Sequence, residues 1–242
     1  MAKKSNSKAL DTLVENLRAA HGDNLASIVL YGSVAAGDHV AEHSDHNLLI
    51  ALNQIASEDL RLAQNAMRDW LKSGQPTPVY FTVAELERAA DVFPIEFLQM
   101  EKARKILYGR DPFEFVEISQ ANLRHQTEYE LRTKLIQLRR LYIPASTSVE
   151  KLCALMSDSL ASFAALFRAV LILQGQEPPV SKADSVRATV RLLGLEASPF
   201  EQILELRSKS SKTLTEAEAN NIFSAYLSQI EQVIEAVDRI ER

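Results

Sequence analysis

Two short groups of residues in this chain have the types and spacing for phosphate chemistry. Gly32-Ser33 follows the apolar run Ser27-Ile-Val-Leu-Tyr31. After eleven spacer residues, Asp45-His46-Asn47 leads into Leu-Leu-Ile. A glycine lets backbone approach a phosphate closely, and backbone N–H groups with a serine hydroxyl can hold one. Side chains two residues apart on a strand point to the same side. Oxygen donors at positions 45 and 47 can therefore share a hard dication such as Mg²⁺, which takes oxygen ligands. Such an ion polarises a phosphoryl oxygen and activates an incoming hydroxyl.

The elements that must position these residues are strands. Residues 27–31 are short, branched and followed by Gly32, which reads as a buried strand, and residues 47–52 read as a second. A helix with the apolar face Leu10, Leu13, Val14 and Leu17 precedes them and ends at Gly22. Ser57 is expected to cap the next helix, with Glu58 and Asp59 in its first turn, and that helix ends near Gly74. Residues 78–82 predict a third strand, and Thr82 with Glu85 a capping box. Residues 93–100 fit helix or strand, and residues 105–108 predict a short last strand before Gly109.

From residue 119 on, no strand is predicted. Leu131, Leu135, Leu138 and Tyr142 share a helical face that Pro144 is expected to stop. Ser148 opens a long helix to about Gln174, apolar on most sides and therefore central in a bundle. Helices follow at about 183–193 and 199–207, then a polar loop over 208–212. Thr215 and Glu218 form a second capping box, opening a last helix to about residue 240. The expected organisation is α+β over residues 1–118, a mixed sheet with flanking helices, and an all-α bundle over 119–242.

Strand, Gly32-Ser33, spacer and the acidic pattern at 45 and 47 together resemble the nucleotidyltransferase superfamily, including the kanamycin nucleotidyltransferase type and the minimal nucleotidyltransferases. The resemblance covers about residues 25–115. It implies that Gly32 and Ser33 hold the phosphates of a nucleoside triphosphate. It also implies that Asp45 and the residue at 47 ligate Mg²⁺, and that a nucleoside monophosphate passes to a hydroxyl of a small molecule or a protein. The family's second carboxylate is here Asn47, which brings no charge and cannot act as a base. Its third usually lies on the strand after the next helix, but residues 78–82 contain no acid, which leaves Glu96 as the substitute. The resemblance thus implies either a working transferase or a catalytically silent, nucleotide-binding regulator. A toxin–antitoxin-like interaction protein is the third reading. The helical half is similar to the bundles that follow this domain in antibiotic nucleotidyltransferases, and more loosely to HEPN-type bundles, without the Arg–His pattern of the ribonucleases among the latter.

Composition excludes several other classes. Residues 1–120 carry 12 basic and 17 acidic side chains, and the remainder 15 of each. Neither half has the basic excess that phosphate-backbone binding requires, so nucleic acid is disfavoured. Arg132, Lys134, Arg139 and Arg140 read as a solvated helix face. His39, His43 and His46 cluster near Asp45 but read as solvated loop histidines, since imidazole suits Mg²⁺ poorly. The single Cys153 forms no internal disulfide and reads as a small buried hydrophobe. No apolar leader and no uninterrupted run of about 18 apolar residues occurs, so a cytoplasmic protein without a membrane span is expected. The apolar face of the last helix, with Ile222, Phe223, Tyr226, Ile230, Val233, Ile234 and Val237, either closes its own bundle or pairs a homodimer.

Overall fold

The helix that opens the chain, α1 (Ala2–His21), runs through a short 3-10 turn at Gly22–Asn24 into β1 (Leu25–Tyr31). The structure, a computed structural model, describes residues 2–32, 34–35, 46–179, 181–206 and 214–240. Four members of the sequence pattern, Ser33, His39, His43 and Asp45, lie outside the described residues, as does the loop 208–212. Two compact units divide the chain, residues 1–119 and 120–242.

In the first unit β2 (Asn47–Leu52) follows β1, then α2 (Ser57–Ala66), α3 (Arg68–Lys72), β3 (Val79–Thr82), α4 (Val83–Arg88), α5 (Pro94–Lys102) and β4 (Arg104–Gly109). The sheet order is β3-β2-β1-β4. β1 is antiparallel to both β2 and β4, and β2 is parallel to β3. Strand alternation sends Ile28, Leu30, Leu48, Ile50 and Leu52 to one face, where they pack with Leu13, Leu17 and Trp70. Val29, Leu49 and Ala51 turn to the other, against Leu86, Phe97, Met100 and Phe113. The two central strands are thus buried on both sides, which is why they read as continuous apolar runs.

Local chemistry accounts for most element ends. Thr82 Oγ1 accepts the Glu85 N–H at 3.1 Å while Glu85 Oε2 accepts the Thr82 N–H at 2.7 Å, the reciprocal box expected. Ser57 departs from expectation: it is the first residue of α2, and Ala56 holds the cap position. The Asp59 carboxylate does the capping by accepting the Ala56 N–H at 2.8 Å. Residues 93–100, open between helix and strand, fall in α5 with Phe93 as its cap. Pro94 starts it at the first helical position, where its missing N–H costs nothing.

His21 is nearly fully buried, and among the described residues neither ring nitrogen has a hydrogen-bond partner. Its ring meets Tyr80 edge-on at 6.0 Å. Burial lowers its pKa below 6.5, against an opposing pull from the Asp59 carboxylate, so the ring is held neutral. A depressed histidine pKa means the unfolded chain binds more protons near and below pH 6.5. This contribution to stability is therefore present above that pH and lost as pH falls through and below it. Urea midpoints should drop between about pH 7.5 and about pH 5.5, and His21→Phe should flatten the drop. Equal pH dependence in parent and variant would exclude His21 as its source.

The second unit is helical: α6 (Gln120–Ala145), α7 (Val149–Leu173), α8 (Lys182–Leu193), α9 (Ser198–Leu206) and α10 (Glu216–Asp238). α7 packs against all four others, as its all-round apolarity predicts. By length and composition alone α7 could cross a membrane; half of its most apolar window is buried within the chain. Ser148 caps it, accepting the Lys151 N–H at 3.4 Å. The Thr215–Glu218 box opens α10 as expected. α6 continues one residue past Pro144 instead of stopping there, so the proline sits in the final turn. Arg132 pairs with Glu128 at 2.8 Å and Arg139 with Glu231 at 2.5 Å, so two of the helix's cations are matched within the bundle. Cys153 is half-buried, which raises its thiol pKa.

Candidate functional site

The two halves of the chemical pattern meet where β1 ends and β2 begins. Tyr31, the last residue of β1, pairs with Asn47, the first of β2. Gly32 follows with φ +84°, a conformation that L side chains rarely adopt. A Cβ at Gly32 would stand 3.2 Å from Asn47 Nδ2. The glycine therefore faces the Asn47 side-chain amide with space for little more than a hydrogen between them. Its own N–H donates to the Ala103 carbonyl at 3.0 Å, tying the turn to the start of β4. That amide is consequently not available to a phosphate. Gly32 contributes clearance, and any backbone donors must come from the residues after it.

On its other side Tyr31 pairs with Arg104. Asn47, Tyr31 and Arg104 thus form a row across three strands, on the face that carries Leu49 and Ala51. Burial raises the Tyr31 pKa, so its hydroxyl stays protonated. Arg104 is braced: Nη2 and Nε donate to Asp111 Oδ2 at 2.7 and 3.0 Å, and its guanidinium lies 5.6 Å from the Phe113 ring centre. The sequence reading did not single out Tyr31 or Arg104. Only the antiparallel register brings them into one row with Asn47.

Residue 46 turns to the opposite face. The His46 ring packs edge-on against Trp70, with centroids 5.9 Å apart, and its Nδ1 is buried. The expectation of a solvated loop histidine fails for this residue because its ring packs toward the core against Trp70, on the face opposite Asn47. Glu96 stands in the first turn of α5, the helix that covers the Asn47 face, with its side chain exposed. Among the described residues no three His, Cys, Asp or Glu side chains assemble into a group that could hold a metal. The described oxygen donor at the pattern itself is the neutral amide of Asn47; Ser33 and Asp45 lie outside.

Replacing Gly32 with alanine should separate these effects. The left-handed backbone costs an alanine about 1–2 kcal/mol, and the new methyl group must displace the Asn47 amide. We expect a modestly lower melting midpoint, together with weakened binding of any ligand that needs the close approach. Parent-like binding would show that the clearance has no role.

No protein-family model matches the chain, and no curated protein matches it in sequence. Among solved structures it is similar to spectinomycin adenyltransferase AAD(9) from Enterococcus faecialis, determined with ATP and spectinomycin. The TM-score is 0.57 at 13% identity, over 94% of this chain and 98% of that one. The likeness is one of fold: a nucleotidyltransferase-type mixed sheet with flanking helices, followed by a helical region.

Proposed function

We propose that this chain, having the nucleotidyltransferase fold, binds a nucleoside triphosphate at the junction of β1 and β2 and directs its α-phosphoryl group to a hydroxyl of a small molecule. The observation that carries the reading is the placement of Gly32, at positive φ, against Asn47. The absence of a side chain at this turn supports a close approach of phosphate to the backbone beside the start of β2. The structural neighbour was determined with ATP and a small-molecule acceptor, which supports the same classes of ligand here. In the transfer, the acceptor oxygen bonds to the α-phosphorus and the bond to the β-phosphate breaks. Pyrophosphate leaves, and the hydroxyl proton passes to a base.

Mg²⁺, where bound, would neutralise phosphate charge and polarise the α-phosphoryl group. Asp45 and the Asn47 amide oxygen are the candidate ligands, with Glu96 the further one. Oxygen donors suit the ion, but Asn47 supplies no charge. The metal is therefore expected to arrive with the triphosphate and to bind weakly without it.

Asn47 also favours a second reading, a nucleotide-binding protein whose transfer step is silent. Titration calorimetry with each NTP, with and without Mg²⁺, tests the shared part of both. Pyrophosphate release with a panel of hydroxyl acceptors, spectinomycin among them, separates the two. Binding with release that depends on an acceptor supports the transferase. Binding without release supports the silent protein, and absence of NTP binding excludes both.

A further inference from the structure

We propose that Gln75 and Trp70 are positioning residues for the nucleotide site, fixing residue 46 and so holding Asn47 against Gly32. The inference rests on the nucleotide reading above. It starts from an asymmetry in the sheet. On its β1 side, β2 is paired from its first residue, Asn47 with Tyr31 and Leu48 with Leu30. On its β3 side the parallel ladder begins only at Leu49, opposite Val79. The first residues of β2, which carry the chemistry, thus lack strand pairing on one side.

The segment leading into β3 supplies what the ladder does not. Gln75 Oε1 accepts the His46 backbone N–H at 3.0 Å. The His46 side chain packs edge-on against Trp70, which is 5% exposed. Trp70 is itself fixed: its indole N–H donates to the Pro76 carbonyl at 3.0 Å, and Ser73 Oγ donates to the Trp70 carbonyl at 2.6 Å. Residue 46 is therefore held twice, by its main chain through Gln75 and by its ring on the face opposite Asn47. Side chains alternate along a strand, so fixing residue 46 on one face fixes the direction of residue 47 on the other. A strand start held only on one side frays, and an Asn47 that swings leaves its place beside Gly32.

Gln75→Ala removes the acceptor at a half-buried position and leaves Trp70 in the core. It should speed hydrogen exchange of the His46 amide about tenfold and weaken binding of ATP with Mg²⁺ about fivefold, the scale of one hydrogen bond. Exchange of the Ile50 amide, inside the ladder, and the melting midpoint should stay at parent values. Gln75→Glu keeps an acceptor oxygen and should restore His46 protection. Parent-like His46 exchange in Gln75→Ala overturns the inference. So does faster exchange with unchanged ATP affinity, which would make the contact purely structural. A parent protein that binds no ATP overturns the nucleotide reading and this inference together.

Discussion

Replacing Asn47 with aspartate is expected to raise pyrophosphate release from an NTP by about a hundredfold or more, with tighter Mg²⁺–nucleotide binding. The amide and the carboxylate have nearly the same size and shape, so Asn47→Asp tests charge and little else. Asn47 opens β2 beside Gly32, where a phosphate would approach. An anionic oxygen there would anchor a dication and favour loss of the acceptor proton, while a neutral amide oxygen does neither as well. Losing one component of electrostatic stabilisation in an active site costs about 3–4 kcal/mol. The parent should therefore turn over very slowly or not at all, even where it binds nucleotide. Asp45→Ala is the control in both backgrounds. Brisk release by the parent that disappears in Asp45→Ala would show that Asn47 is tolerated and that another acid, such as Glu96, completes the site. No gain in Asn47→Asp would show that charge at this position is not what limits the reaction.

The largest stability effect should come from Gly109→Ala, at the end of β4. Gly109 pairs with Ser27 of β1, and its φ is +78°. A Cβ there would lie 1.9 Å from the Ala26 carbonyl oxygen, 2.9 Å from its carbon and 3.0 Å from Ser27 Cα. All three atoms are backbone of a central strand, so no side chain can rotate away. Either β4 separates from β1, with loss of the Ser27 Oγ bond to the Tyr108 carbonyl at 3.0 Å, or the strand shifts. Backbone strain and overpacking each contribute about 1–3 kcal/mol, so we expect about 4 kcal/mol of destabilisation. Trp70 is the single tryptophan and lies in the same unit, so its emission in a urea titration reports the change. Gly22→Ala is the comparison: φ is +52°, but nothing stands within 4 Å of the added carbon. Similar losses in the two variants would show that φ alone, and not the close approach, decides the cost at Gly109.

Features set within a few residues were legible without the structure. β2 runs over Asn47–Leu52 as read, because a buried strand is a short branched apolar run with polar ends. The boxes at Thr82–Glu85 and Thr215–Glu218 stand where their spacing put them, since both partners lie within one helical turn. Where a local signal had a nearby competitor, it misled. Ser57 is a good capping residue, yet the Asp59 carboxylate reaches back one residue further and takes the role. Likewise the helix running from 57 toward Gly74 breaks at Met67 into α2 and α3, which no proline or glycine announces.

At the candidate site the division has the same cause. The sequence by itself determined the chemistry available: a glycine and a serine after one strand, one carboxylate and one amide before the next, and no acid on the third. Those are matters of residue type and short spacing, and no folding can change them. Only the tertiary structure decided that Gly32 faces the Asn47 amide, that its N–H is already engaged by Ala103, and that Tyr31 and Arg104 complete the row. It also decided that Gln75 holds the His46 main chain and Trp70 its ring. These contacts join residues about 15 to 75 positions apart, and they depend on strand register and on which face each side chain takes. One slip of register reverses every face, and register is set by the packing of both sides of the sheet at once.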